Sequence, residues 1–226
     1  MDVWSIAAEW PQADDGQRST WIQQVRFDIT LNGDDVPALV ALYRTVIETG
    51  GAMQRSMEEA LLTALSRIGH VDAVPLFEEL LAGSLQGVSP IAEVVEALAE
   101  VAGRSGDEHA LSLLASCLDH VHVDVRDMAT TSVVRAYRTA QRSVPRSVVQ
   151  QLYALLHHDP TRRVRFSAGL ALQELGELDL IEVIFWAEDM AGWEEDAAWG
   201  IEDEDWEDVS LLSFDDDMRW TDRLSS

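Results

Sequence analysis

From Asp35 to about Met190 apolar residues return every three or four positions, which leaves little choice of fold. Val36, Leu39, Val40, Tyr43, Val46 and Ile47 trace one helical face, a stripe that the two-residue period of a strand would scatter onto both sides. Strand alternation is not sustained anywhere in this stretch. Breaks fall at Gly50-Gly51, Gly69, Gly83 with Gly87 and Pro90, Gly103 with Gly106, Pro145, Pro160 and Gly176. Such spacing is that of short antiparallel helices joined by tight turns. The expected class is all-α, with about ten helices in tandem.

The helices also resemble one another. Ala64-Leu65, Ile68-Gly69, Ala73 and Leu80-Leu81 correspond to Ala97-Leu98, Val101-Ala102, Ala110 and Leu118, with a first offset of 33 residues. Asp119, Val125-Arg126 and Ala129 correspond to Asp159-Pro160, Val164-Arg165 and Ala168, the two arginines standing 39 residues apart. Each helix pair carries an apolar face that it cannot bury alone, so neighbours must stack and the ends need atypical caps.

The run Asp159-Pro160-Thr161-Arg162-Arg163-Val164-Arg165, followed by Ala168, Ala171-Leu172 and Leu175-Gly176, resembles the HEAT-like repeat in its short bacterial form, related to the repeats of phycobilin lyases. Ile68-Gly69-His70-Val71-Asp72-Ala73-Val74-Pro75-Leu76 with Leu80-Leu81 is similar to the turn and second helix of the same unit. The resemblance implies a right-handed α-solenoid over residues 35–190. It also implies that Asp119, Arg126, Asp159 and Arg165 are structural links between repeats. Residues 1–34, with Trp4, Trp10 and Trp21, do not match the unit and are expected to form an N-terminal cap. A helix there is expected to start at Ser19-Thr20 and to bury Ile22, Val25 and Ile29. Residues 191–226 are read as an acidic, Trp-containing C-terminal cap or tail.

Charge narrows the function classes. Against 41 Asp and Glu stand 16 cations, for a net charge of -25. That field repels phosphate backbones and anionic lipid. Every cation is Arg, so Schiff-base chemistry, a P-loop lysine and lysine general bases are excluded. The one cysteine, Cys117, allows neither an internal disulfide nor a multi-thiolate metal site. With no basic, apolar leader at the N-terminus and no long uncharged apolar run, a cytoplasmic location without membrane association is expected. No nucleophile elbow, zinc-protease helix motif or Gly-rich phosphate loop occurs, and no catalytic, cofactor or metal residues are assigned.

Three features remain. Residues 187–226 hold fifteen acids against Arg219 and Arg223, interleaved with Trp193, Trp199, Trp206 and Trp220. Solvating tails are poor in aromatics, so these indoles are expected either to cap the last repeat or to anchor a cationic partner. In the second case Trp193, Trp199 and Trp206 are the anchors, and Glu202, Asp203, Glu204 and Asp205 steer its approach. Residues 126–165 hold eight arginines against Asp127 and Asp159. Arg135, Arg138 and Arg142 share a helical face and, with Arg162 and Arg163, are expected to pair with neighbouring acids or to take an anion or the acidic tail. Cys117, Asp119, His120 and His122, one repeat before His157, His158 and Asp159, form a weak pattern for a shared zinc site, with solvent-exposed loop histidines as the alternative.

The leading expectation is a non-enzymatic scaffold that binds a basic protein, as an immunity- or antitoxin-like inhibitor. Two alternatives stay open. The phycobilin-lyase resemblance implies an accessory subunit or lyase-like chaperone of a cofactor-carrying protein. The basic island leaves nucleic-acid binding, which the overall charge disfavours.

Overall fold

The computed structural model describes residues 2–83, 87 and 91–178. Contacts group the chain into Met1–Met190 and Ala191–Ser226, so all the described residues belong to the first unit. They form ten α-helices and, among the described residues, no strand. The helices are α1 (Val3–Glu9), α2 (Asp15–Phe27), α3 (Val36–Thr49), α4 (Gln54–Ile68) and α5 (Val74–Leu81). After them come α6 (Ile91–Ser105), α7 (Glu108–Ser116), α8 (Val123–Thr139), α9 (Arg146–His158) and α10 (Arg162–Glu174). No helix among these residues is long and apolar enough to cross a membrane.

Local chemistry sets the ends. Asp14 and Gln17 form a reciprocal capping box on α2, the carboxylate accepting from the Gln17 N–H at 2.8 Å and the Gln17 amide from the Asp14 N–H at 3.1 Å. Asp107 caps α7 by accepting from the Ala110 N–H. At the other end Gly69 closes α4 in the left-handed region, with φ of 68°, where a side chain would be strained. Pro75, in the first turn of α5, needs no intrahelical donor there.

Packing runs in series. The even-numbered helices touch in chain order, α2 on α4, α4 on α6, α6 on α8 and α8 on α10. On the odd-numbered side α1 packs on α3, α3 meets the turn Val71–Ala73 ahead of α5, and α9 meets the turn Cys117–Asp119 that follows α7. Small residues allow the even helices to approach one another: Ala97, Ala99 and Ala102 on α6, Ala129 and Ala136 on α8, and Ala168 and Ala171 on α10 are buried. One continuous core results, running from Val3 to Leu172.

Residues 1–34 contain a helix pair, α1 packing on α3 and α2 on α4. Within it α2 begins at Asp15, not at Ser19-Thr20, because the capping box sits at Asp14. Ile22 and Val25 are buried as expected, but Ile29 lies beyond the helix and is 85% exposed. Gly103, read as a break, is inside α6. A Cβ there would stand 3.1 Å from Thr139 Cβ and 3.4 Å from the Ala136 backbone, so this glycine marks close approach of α6 and α8. Gly103→Val is expected to lower stability by about 1–3 kcal/mol through overpacking, read as a lower urea midpoint at unchanged slope.

Candidate functional site

The turn between α9 and α10 is three residues long, because Pro160 has no N–H with which to continue a helix. Its first residue, Asp159, is the centre of a well-connected polar cluster. One carboxylate oxygen accepts from Arg126 Nε at 2.6 Å. The other accepts from Arg126 Nη2 at 3.2 Å and from the Thr161 N–H at 2.8 Å. Only 2% of the Asp159 side chain and 12% of that of Arg126 remain exposed. A bidentate pair this well covered links the α7–α8 turn to the α9–α10 turn.

Arg126 and Arg165 do the same job one repeat apart. Arg126 Nη1 donates to the carbonyls of His120, at 2.8 Å, and Val121, at 3.1 Å. Arg165 Nη1 donates to those of Asp159, at 2.9 Å, and Pro160, at 3.1 Å. Each guanidinium thus clamps the turn in front of its own helix. This equivalence shifts the sequence register by one: the position of Asp159 is held in the earlier repeat by His120, not Asp119. His120 reaches back to the Leu81 backbone, and burial is the main cause that holds its pKa below the usual histidine value. Asp119 instead accepts from Gln151 Nε2 at 2.8 Å, joining the end of α7 to α9 without an arginine.

Arg135, Arg138, Arg142 and Arg163 of the basic island are engaged between helices. Arg135 stands 3.5 Å from Glu100, Arg138 lies 2.5 Å from Glu174, and Arg142 lies 2.8 Å from Glu108. Arg163 meets Asp124 at 2.6 Å and Asp127 at 3.0 Å, and the Ser167 hydroxyl donates to Asp127 at 2.7 Å, so α8 and α10 are laced together. Arg162 is half-buried at the start of α10. Trp193, Trp199, Trp206, Glu202, Asp203, Glu204 and Asp205 lie outside the described residues, as do Trp186 and Trp220.

A second buried polar group lies nearer the N-terminus. The fully buried carboxylate of Glu58 accepts from Gln54 Nε2 at 2.7 Å and from the Tyr43 hydroxyl at 3.4 Å, tying α3 to α4. Burial, and then the Glu58 charge, push the Tyr43 phenol far above its ordinary value.

Four of the histidines lie in two tilted pairs. The rings of His120 and His122 lie 5.3 Å apart, those of His157 and His158 6.0 Å apart, and Tyr153 stacks on His157 at 6.3 Å. Among the described residues no three His, Cys, Asp or Glu side chains gather as a bound cation would require. Cys117 is a core thiol, 3% exposed, its sulfur 3.4 Å from the Leu113 carbonyl, and burial pushes its pKa to about 11.

One concavity was not legible in the sequence. Where α7 and α9 face each other, the residues at helical spacing are small or uncharged: Ser112, Ala115 and Ser116 on one side, and Ser147, Gln150, Gln151 and Ala154 on the other. Too little side chain is present to fill the gap. An open groove of about 620 Å³ remains, with Tyr137 of α8 and Pro145 in its wall.

No protein-family model, no curated protein and no solved structure matches this chain.

Two expected outcomes follow from the site. Asp159→Ala leaves the Arg126 guanidinium buried without its carboxylate and is expected to cost about 3–5 kcal/mol, measured by urea unfolding. Cys117 in the folded protein at pH 8 is expected to react with an aromatic disulfide reagent only as fast as the chain opens, and at once in denaturant.

Proposed function

We propose that this chain is a non-enzymatic, HEAT-like helical scaffold whose acidic surface binds a cationic protein, in its most concrete form as an immunity- or antitoxin-like inhibitor. The architecture under this reading is a right-handed α-solenoid closed by caps at both ends. Serial contacts among the even-numbered helices, together with the 33- and 39-residue offsets in sequence, support it.

The observation that carries the functional reading is how the cations are spent. Arg26, Arg44, Arg55, Arg104, Arg126, Arg135, Arg138, Arg142 and Arg163 all lie within 4 Å of a carboxylate of the same chain. Local pairing therefore removes most of the positive charge, while a net of -25 remains to act on the surroundings. A field of that sign accelerates encounter with a basic protein and repels nucleic acid. In the acidic segment, Trp193, Trp199 and Trp206 would supply anchors, and Glu202, Asp203, Glu204 and Asp205 would supply steering.

The test captures partners from the native lysate on the full chain and follows association kinetics against salt. A cationic partner is expected, its on-rate falling steeply as ionic strength rises past about 0.15 M, where charges are screened beyond about 8 Å. Trp199→Ala or Trp206→Ala should raise the off-rate, costing about 2 kcal/mol at a hot spot. Charge reversal across residues 202–205 should slow association instead. An acidic or neutral partner bound without salt dependence would overturn the reading.

A further inference from the structure

Ile29 continues the apolar spacing of α2, yet it is 85% exposed. Phe27, the last residue of α2, is 67% exposed, and Val71, in the turn between α4 and α5, is 37% exposed. Single exposed apolar residues are ordinary. These three are not single, because the two turns that carry them are in contact. Arg67 of α4 donates from Nη1 to the Arg26 carbonyl at 2.9 Å and from Nη2 to that of Asp28 at 2.7 Å, straddling Phe27. Gly33 lies against His70, where a Cβ would stand 2.9 Å from the ring.

The turn between α2 and α3 is closed by its own hydrogen bonds. Asp28 Oδ1 accepts from the Thr30 N–H at 2.9 Å and from the Thr30 hydroxyl at 2.6 Å. The Asn32 N–H donates to Asp35 at 2.9 Å, and the Asp34 N–H donates to Asn32 at 3.0 Å. Leu31 points the other way and joins the core. Ile29 is therefore carried on the outward side of a backbone that is already ordered, so docking there loses little further conformational entropy.

Charge decides what can cover these apolar side chains. Asp28, Asp34, Asp35 and Asp72 stand on the same two turns. The Thr30 hydroxyl, and then the Thr30 N–H, hold the Asp28 carboxyl below the usual carboxylate range. The cations of this region are already engaged: Arg67 on the two carbonyls, and Arg26 at 3.7 Å from Glu59. His70, the remaining basic group on these turns, stands 3.5 Å from Asp72. A second copy of the chain would set carboxylate against carboxylate, and an anionic lipid surface would be repelled likewise. A segment that surrounds an apolar side chain with cations meets both the anchors and their rim.

We propose that the edge formed by the α2–α3 and α4–α5 turns docks a segment of the cationic partner in which apolar side chains lie among lysines or arginines. Phe27, Ile29 and Val71 are the anchors, and Asp28, Asp34, Asp35 and Asp72 are the rim. The inference rests on the cationic-partner reading and gives that partner a docking surface outside the acidic segment of residues 191–226.

The test uses immobilised full-length chain and two libraries of N-acetylated, C-amidated decapeptides. Both carry four lysines; one fills the other positions with Gly and Ser, and the second replaces two of these with Leu or Phe. The apolar library is expected to be retained about tenfold better, the factor that burying one aliphatic side chain supplies. Phe27→Ser and Ile29→Ser alter exposed side chains, so each should melt like the parent and lose most of that preference while still retaining the Gly and Ser library. Val121→Ser, at an exposed valine of the α7–α8 turn, should keep it. Equal retention of the two libraries, a preference untouched by Phe27→Ser and Ile29→Ser, or one lost equally in Val121→Ser would overturn the docking surface and leave the cationic-partner reading standing. Retention of an apolar library with Glu in place of Lys would remove the rim from the argument and overturn it too, as would self-association of the free chain abolished by Ile29→Ser, which would make the occupant a second copy. Retention of neither lysine library at low salt would overturn the cationic-partner reading and the docking surface with it.

Discussion

The carboxylate of Asp159 is the interaction on which the C-terminal half of the described chain depends. It ends α9, accepts from the Thr161 N–H, and accepts from the Nε and Nη2 edge of the Arg126 guanidinium. Without it, Arg126 would be a buried cation whose remaining partners are two carbonyls of its own turn. Water is nearly absent from the pair, so the gain comes from geometry that satisfies donors on three elements at once, which offsets the cost of desolvating two charges. Placing α9 also places the groove, because α9 meets the α7 side through the Cys117–Asp119 turn and the bond from Gln151 to Asp119.

An all-arginine cation set suits this arrangement. The planar fork holds a carboxylate with two parallel bonds while a further nitrogen reaches a carbonyl, as Arg126 does. A lysine could supply the charge but not the simultaneous contacts. Outside the buried pair, most ion pairs are largely exposed and contribute little to stability individually. Their effect is to neutralise the arginines locally, so the chain's large negative surplus has few opposing charges left to cancel it.

The sequence carried the helices well because their signal is local. Apolar spacing located the cores of α3, α4 and α6, and the glycines at 50, 69 and 106 marked turns in which each adopts positive φ. Gly103 misled because a glycine admitted for close helix approach reads like one admitted for a turn; only the position of Thr139 and Ala136 distinguishes them. The start of α2 was recoverable from Asp14 and Gln17, whose spacing is that of a capping box. The Asp and Arg motif predicted a link, but the slip that set Asp119 beside Asp159 could be corrected only by the carbonyls each arginine clamps. The groove escaped altogether. Serines and glutamines at helical spacing look like an ordinary wet face until the opposite helix proves equally small.

Serial packing has a consequence for how the chain comes apart. Because α6 meets α4 and α8 while α2 and α10 each touch a single even-numbered neighbour among the described helices, the free energy of the array is distributed as nearest-neighbour terms along a line. Opening then proceeds inward from the α2 side, and the amides of α6 outlast those of α2 in exchange with solvent deuterium. The α6 and α8 interface, drawn close by Gly103, is therefore the last to let water in. Helices packed in this order can lose their margin without losing their middle.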